Sequence, residues 1–263
     1  MPQPLSNRRY PQDASILIGS ANLWERPEFA VSISRTLAHW PFIETYLGVM
    51  LMAVLREQAR PGIEKFIKNA STTRYRTILL VEAKPILNTE NHEALEIVMD
   101  MFTDVYEKRN RFAHWICGIS PQIPKGLLLQ DPKDHWRDLL AMTEHMAGWP
   151  EKRNADIPKP NKRRILVYEH KDFEEVEADV GALTNALQYL HQTLTFPQGA
   201  DDPDSPGRRA RARLYALPQY QKAKSYVLGH PRSMPPKSLG RRLARLLRQL
   251  LRAFREFFQA RSQ

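Results

Sequence analysis

The sequence predicts a mainly α protein: an antiparallel helical bundle with a small two-stranded β-ribbon and a C-terminal amphipathic helix. Three observations predict it. Long stretches beginning near Pro27, Gly62, Thr89 and Asp172 place apolar residues at steps of three and four, the repeat of one helix face. Two short apolar runs, "GLLLQD" (126–131) and "RILVYE" (164–169), fit strands that pair as an antiparallel ribbon. Residues 238–263 interleave arginines with leucines and phenylalanines at helical spacing.

Each element follows from its residues. Residues 1–26 read as irregular. The first helix starts at Pro27, a residue suited to a first turn, and its stripe runs Ile33, Leu37, Trp40, Leu47, Leu51, Val54. Glu44 occupies the gap in that stripe, and Pro41 is expected to kink or split the helix. A second helix covers 62–84 with Phe66, Ala70, Ile78 and Leu79 inward, and Pro85 ends it. A third begins with Thr89 or Asn91 as cap, carries Leu95, Val98, Met99, Phe102, Val105, Tyr106, Phe112 and Ala113 on its stripe, runs to about Cys117 and stops at Gly118. Short links between these helices argue for antiparallel neighbours. A further helix lies between the two strands. The fourth bundle helix starts at Asp172, which with Glu175 has the spacing of a capping box. Its seam, Phe173, Val176, Val180, Leu183, Leu187, Leu190 and Leu194, is the cleanest in the chain. The domain reading is a helical domain over 1–200, a Pro-rich basic linker over 201–237 containing a short helix near 209–228, and a cationic amphipathic helix over 238–263.

Charge is distributed unevenly. The chain carries a formal +10. From Arg208 onward there are fifteen Lys/Arg and one acid, Glu256, so the first 207 residues are mildly acidic. Bulk charge therefore gives the body no nucleic-acid footprint. One cysteine, Cys117, excludes an internal disulfide and fits a cytoplasmic protein. The N-terminus has no apolar signal core, and the longest apolar run, "YLGVMLMAVL", is about half a membrane span. Histidines are scattered and one cysteine makes no thiolate zinc site, so neither a cofactor nor a metal is expected.

The chemistry-bearing stretch is "EKRNRFAHWIC" (107–117). On a helix, Asn110 and His114 are i and i+4 and stack on one face, and the long Arg109 side chain can reach over. Histidine titrates near neutrality and suits proton transfer. Arginine offers a planar fork of donors to phosphate oxygens. Cationic residues also suit any helix C-terminus, so the pattern alone separates a reaction site poorly from a solvated helix end. The same spacing recurs at Arg164 and His170 on a predicted strand.

Arg109-Asn110-Arg111-Phe112-Ala113-His114 resembles the hallmark of the HEPN superfamily (higher eukaryote and prokaryote nucleotide-binding domains): an arginine, a polar residue, then a histidine a few positions on. The opening helix "SRTLAHWPFIETYLGVMLMAVL" looks like that of many small bacterial HEPN-like proteins. The resemblance covers roughly residues 28–195. It implies a HEPN-like bundle, usually dimeric, and in many members a metal-independent endoribonuclease with Arg and His catalytic. Some HEPN toxins carry a tyrosine two positions after the histidine, where a paired antitoxin modifies it; Ile116 stands there. The expectations are an RNA-cleaving or RNA-binding effector of toxin or antiviral type, with RNA as partner, a homodimer that pairs two motifs near its axis, and Arg109, Asn110 and His114 as the site. Glu44 is expected either to reach water or to support the site by meeting Arg109 or His114. The alternative is a non-catalytic dimerising interaction module. The tail offers its apolar face to an anionic membrane surface, to a protein partner or to its own bundle, which would make the protein peripheral at the membrane in the first case.

Overall fold

The structure, a computed structural model, describes residues 1–56, 59–68, 72–147, 156–196 and 204–229. Eight helices and five short strands occur among them. The expected cationic helix over 238–263 lies outside the described residues. The chain divides into two compact units, Met1–Ala223 and Lys224–Gln263.

The central helix α1 spans Pro27–Leu55. Pro41 lies inside it without dividing it, and the Thr45 hydroxyl donates to the Pro41 carbonyl at 2.8 Å. By length and composition α1 could cross a membrane; ten of its side chains are buried, Ile43, Leu47, Met50 and Leu51 fully so. Arg56 ends it with a positive φ of 49°, unusual for a residue with a side chain.

The single helix expected over 62–84 is recorded as two, α2 (Ala59–Lys68) and α3 (Thr72–Ala83), on either side of residues 69–71. Ala70, expected inward, therefore falls outside the described residues. Gly62 lets α2 approach α1: a Cβ there would lie 2.1 Å from a Leu55 methyl.

Helix α4 spans Thr89–His114, and its cap is Asn88, one residue before the expected Thr89, whose side chain accepts from the Asn91 amide at 2.9 Å. Such a cap is worth about 1 kcal/mol. The helix ends at His114 rather than near Cys117, because Trp115 is extended and Ile116 opens a strand. Gly118 is consequently not a helix stop. It sits where a neighbouring strand comes close: a Cβ would meet the Leu17 carbonyl at 2.9 Å and an Ile18 methyl at 2.7 Å.

The expected two-stranded ribbon is the middle of a larger sheet. Gly126–Gln130 and Ile165–Glu169 do pair antiparallel, with Leu128 opposite Val167. Five strands are present: β1 (Gln3–Pro4), β2 (Leu17–Ile18), β3 (Ile116–Ile119), β4 (Gly126–Gln130) and β5 (Ile165–Glu169), in the order β1-β5-β4-β3-β2, all antiparallel. Strand β4 is central, so all five of its residues are buried. One face of the sheet carries Leu128, Ile165 and Val167 against Leu5, Tyr10 and Ala14 of the N-terminal segment. Residues 1–26, expected to be irregular, thus supply two strands and half of a small core. On the other face Tyr168 joins Phe112 and Phe173, with ring centroids 5.5 Å apart in each pair.

Helix α5 (Pro132–Ala147) follows β4, and α6 (His170–Thr195) continues directly from β5. The α6 cap is Glu169, and Asp172 is its third residue rather than the cap: the Glu169 side chain and the Asp172 amide, and the Asp172 side chain and the Glu169 amide, bond reciprocally. The strict seam of α6 is buried throughout, with Leu183, Leu187 and Leu190 fully inside. Burying each such leucine contributes about 2 kcal/mol relative to exposure.

Ring and ion contacts fix helix directions. Phe29 stacks on Phe173 (5.0 Å) near the start of both α1 and α6, and His39 meets Thr184 farther along both (2.9 Å), so α1 and α6 run parallel. Phe112 also stacks on Phe173 (5.2 Å) while Lys108 reaches Asp179 (2.7 Å), so α4 runs opposite to α6. The bundle is therefore not a simple up-and-down one; the sheet inserted between α4 and α6 stands at the end where α4 finishes and α1 and α6 begin. Within the segment read as linker, α7 (Pro206–Ala216) and α8 (Pro218–Gly229) are helical, and Ala210, Leu214 and Tyr220 are buried. Arg211 ties α7 to α4 through Glu90 (2.5 Å) and Asn91 (2.6 Å).

Candidate functional site

The last two turns of α4 carry the three motif residues. Asn110 lies one residue past Arg109, and the Arg109 guanidinium donates from Nη1 to the Asn110 carbonyl oxygen at 3.1 Å. Its carbon lies 5.7 Å from the centre of the Trp40 ring on α1, close enough for a cation–π contact. Arg109 forms no ion pair with a described residue, and its Nε is buried without an acceptor. A half-buried guanidinium without a carboxylate partner is an uncompensated charge, which burial makes costly.

Trp40 organises this group. Its ring packs against Phe102 (5.5 Å) and Tyr106 (5.7 Å), and its indole N–H donates to Glu44 at 2.9 Å. Glu44 is half-buried and accepts from the indole. Carboxylate and guanidinium address the same indole, one at its N–H and one at its face. One residue before Arg109, Lys108 bridges Asp104 (2.6 Å) and Asp179 (2.7 Å). Burial works against the charge on Lys108, and the hydrogen bonds to the two carboxylates outweigh it, so its pKa stands above the usual lysine value. The guanidinium of Arg111 lies over the Trp115 ring at 5.5 Å.

His114 stands at the end of the helix with an exposed ring. It makes no hydrogen bond, ion pair or ring contact with another described residue, so Arg109 and Asn110 are joined and His114 is set apart, one turn further on.

A second polar group lies across the sheet from this end. Gln130 is opposite Ile116 in the β3–β4 ladder and is buried. Its side-chain oxygen meets His135 Nδ1 at 3.1 Å and its nitrogen donates to Asp138 at 2.6 Å. If His135 donates at Nδ1, its Nε2 is left as an acceptor. Sequence spacing gave no access to this trio, because Gln130 is fixed by strand register and the two others by helix phase. Arg164 and His170, which share the motif's spacing, are dispersed: Arg164 pairs with Asp134 (2.8 Å), and His170 lies 5.4 Å from Phe29. Among the described residues no group of three His, Cys, Asp or Glu side chains is placed to hold a metal ion. A cavity of about 360 Å³ lies at the opposite end of the bundle, lined by Val54, Arg56, Leu87, Asn88 and Leu194 among others, far from the motif.

No family model, curated protein or solved structure matches this chain.

Proposed function

We propose that the end of α4 is the phosphate-handling site of a HEPN-like, metal-independent endoribonuclease of toxin or antiviral-defence type, active as a homodimer. The observation that supports this reading is Arg109: laid on Trp40, tied to Asn110, unpaired by any described carboxylate, and followed one turn later by an exposed imidazole. In the proposed reaction His114 takes the proton from a ribose 2′-OH. The 2′-oxygen attacks the adjacent phosphorus, the P–O5′ bond breaks, and the 5′-oxygen receives a proton from the His114 of the second copy. Arg109 stabilises the charge that gathers on the non-bridging oxygens, and Asn110 holds the guanidinium in register. The products are a 2′,3′-cyclic phosphate and a 5′-hydroxyl.

The alternative, a dimerising interaction module without catalysis, is favoured by one observation: no described partner orients the His114 ring. The experiment that separates the two is cleavage of a mixed-sequence RNA in EDTA by the purified full chain, His114→Ala and Arg109→Ala. Loss of cleavage in both variants, with unchanged circular dichroism and a cyclic phosphate in the wild-type products, supports the nuclease. Undiminished cleavage by His114→Ala refutes it.

A further inference from the structure

Helix α5 is amphipathic the wrong way round. Its buried contacts are polar: Asp138, and His135 from the edge of the apolar stripe, bond to buried Gln130, and His145 is buried. Its outward side carries Trp136, Leu139, Leu140, Met142 and Met146 at helical spacing. Trp136 is 70% exposed, Leu140 59% and Met146 61%. An isolated exposed leucine needs no explanation, whereas a continuous apolar stripe on one helix does.

We propose that this face is a docking surface for a second copy of the chain, which packs its own α5 antiparallel across a two-fold axis. The charges on the stripe's flank argue for that occupant. Lys133 and Glu144 border the stripe on the same side as Leu140, and the side chains of both are exposed and unpaired among the described residues. They are equidistant from a point between Asp138 and Leu139. In an antiparallel two-fold pair the same flanks of both helices face each other, so an axis at that point sets each Lys133 beside the partner's Glu144. The same register brings Leu139 and Leu140 of both copies together and seats each Trp136 on the partner's Leu140. The face is self-complementary in charge. Its area also suffices: the exposed apolar surface is on the order of 500 Å² per copy, so a pair buries on the order of 1,000 Å², the lower bound for a specific interface.

The inference stands whether or not α4 ends in a nuclease site. It also bears on that end, because α5 is anchored to Gln130, directly across the ladder from Ile116, so the interface belongs to the end of the molecule where α4 finishes.

Sedimentation velocity of the full chain up to about 100 µM tests it. The wild type is expected to be a dimer. Trp136→Ser/Leu140→Glu is expected to be monomeric with unchanged circular dichroism, since both side chains point to water. Lys133→Glu, which sets like charges together twice, is expected to weaken the dimer about tenfold. The swap Lys133→Glu/Glu144→Lys is expected to restore it, an outcome that neither a misfolded variant nor a different partner produces. A monomeric wild type overturns the proposal, whether the face is then covered by another part of the chain or by another protein. So does a dimer that survives Trp136→Ser/Leu140→Glu, or a swap that fails to restore assembly.

Discussion

Replacing Trp40 by phenylalanine separates the two jobs of one side chain. Trp40 is almost fully buried, and phenylalanine keeps most of its packing against Phe102 and Tyr106. What disappears is the hydrogen bond to Glu44 at 2.9 Å, part of the ring volume, and some of the attraction to Arg109. A hydrogen bond to an ionised carboxylate contributes about 1.5–3 kcal/mol, and the low end applies because Glu44 is only half-buried. The lost ring volume adds about 1 kcal/mol. The Arg109 contact lies near the outer limit of cation–π range, so phenylalanine loses only a few tenths of a kcal/mol there. The expected cost is about 2–3 kcal/mol, read from urea unfolding followed by far-UV circular dichroism. Glu44→Ala, combined with Trp40→Phe in a double-mutant cycle, should show a coupling of about 1 kcal/mol. A cost under about 0.5 kcal/mol, or additivity of the two substitutions, would show that the indole bond does not organise the site.

Two further outcomes are expected. Gly118→Ala should destabilise the protein by about 1–3 kcal/mol in the same assay, because its Cβ meets the Leu17 carbonyl, which moves only if β2 moves; an unchanged midpoint would show that β2 is not tightly paired. Lys108 carries a raised pKa, so its contribution is full below the ordinary lysine value of 10.5 and is lost as pH rises through the folded value. Urea midpoints of wild type and Lys108→Met should therefore differ most between pH 7 and 10 and converge only as pH rises through the raised folded value; a gap that is constant with pH contradicts the ion-pair account.

The parts of the fold written in strict period were legible. The α6 seam and the apolar runs of β4 and β5 determine their elements because each repeat matches one geometry and one burial pattern. The end of α4 was not legible, since "HWICGI" continues an apolar pattern equally well as helix or strand, and only the approach of β2 to Gly118 decides it. Strands of two residues, such as Gln3–Pro4, carry no alternation at all; they exist because Leu5, Tyr10 and Ala14 need the sheet to cover them. The parallel course of α1 and α6 depends on a sheet inserted between α4 and α6 and leaves no local mark. At the site, the sequence marked Arg109, Asn110 and His114 as neighbours in one helix, and Glu44 as an anomaly in another. It could not show that Trp40, counted as a core residue, stands between the two helices and holds both charges. For α5, the sequence marks a helix between two strands but not which face turns inward; the bonds of Asp138 and His135 to the buried glutamine of β4 decide that.

Two junctions of sheet and bundle, α4 to β3 and β5 to α6, have no slack. Connections between strands and helices usually run to several residues, which absorb rotation. Here Trp115 alone separates α4 from β3, and β5 becomes α6 with nothing between, Glu169 serving at once as the last ladder residue and the first helix cap. Sliding β5 along β4 by one residue would break the reciprocal bonds of that cap, and twisting β3 would turn the last turn of α4 with it. Sheet and helix ends therefore behave as one lever: a load applied to the strands arrives at His114 as rotation of a whole helix. Amides of β3, β5 and the adjoining turns of α4 and α6 should accordingly exchange with solvent together, in one opening event.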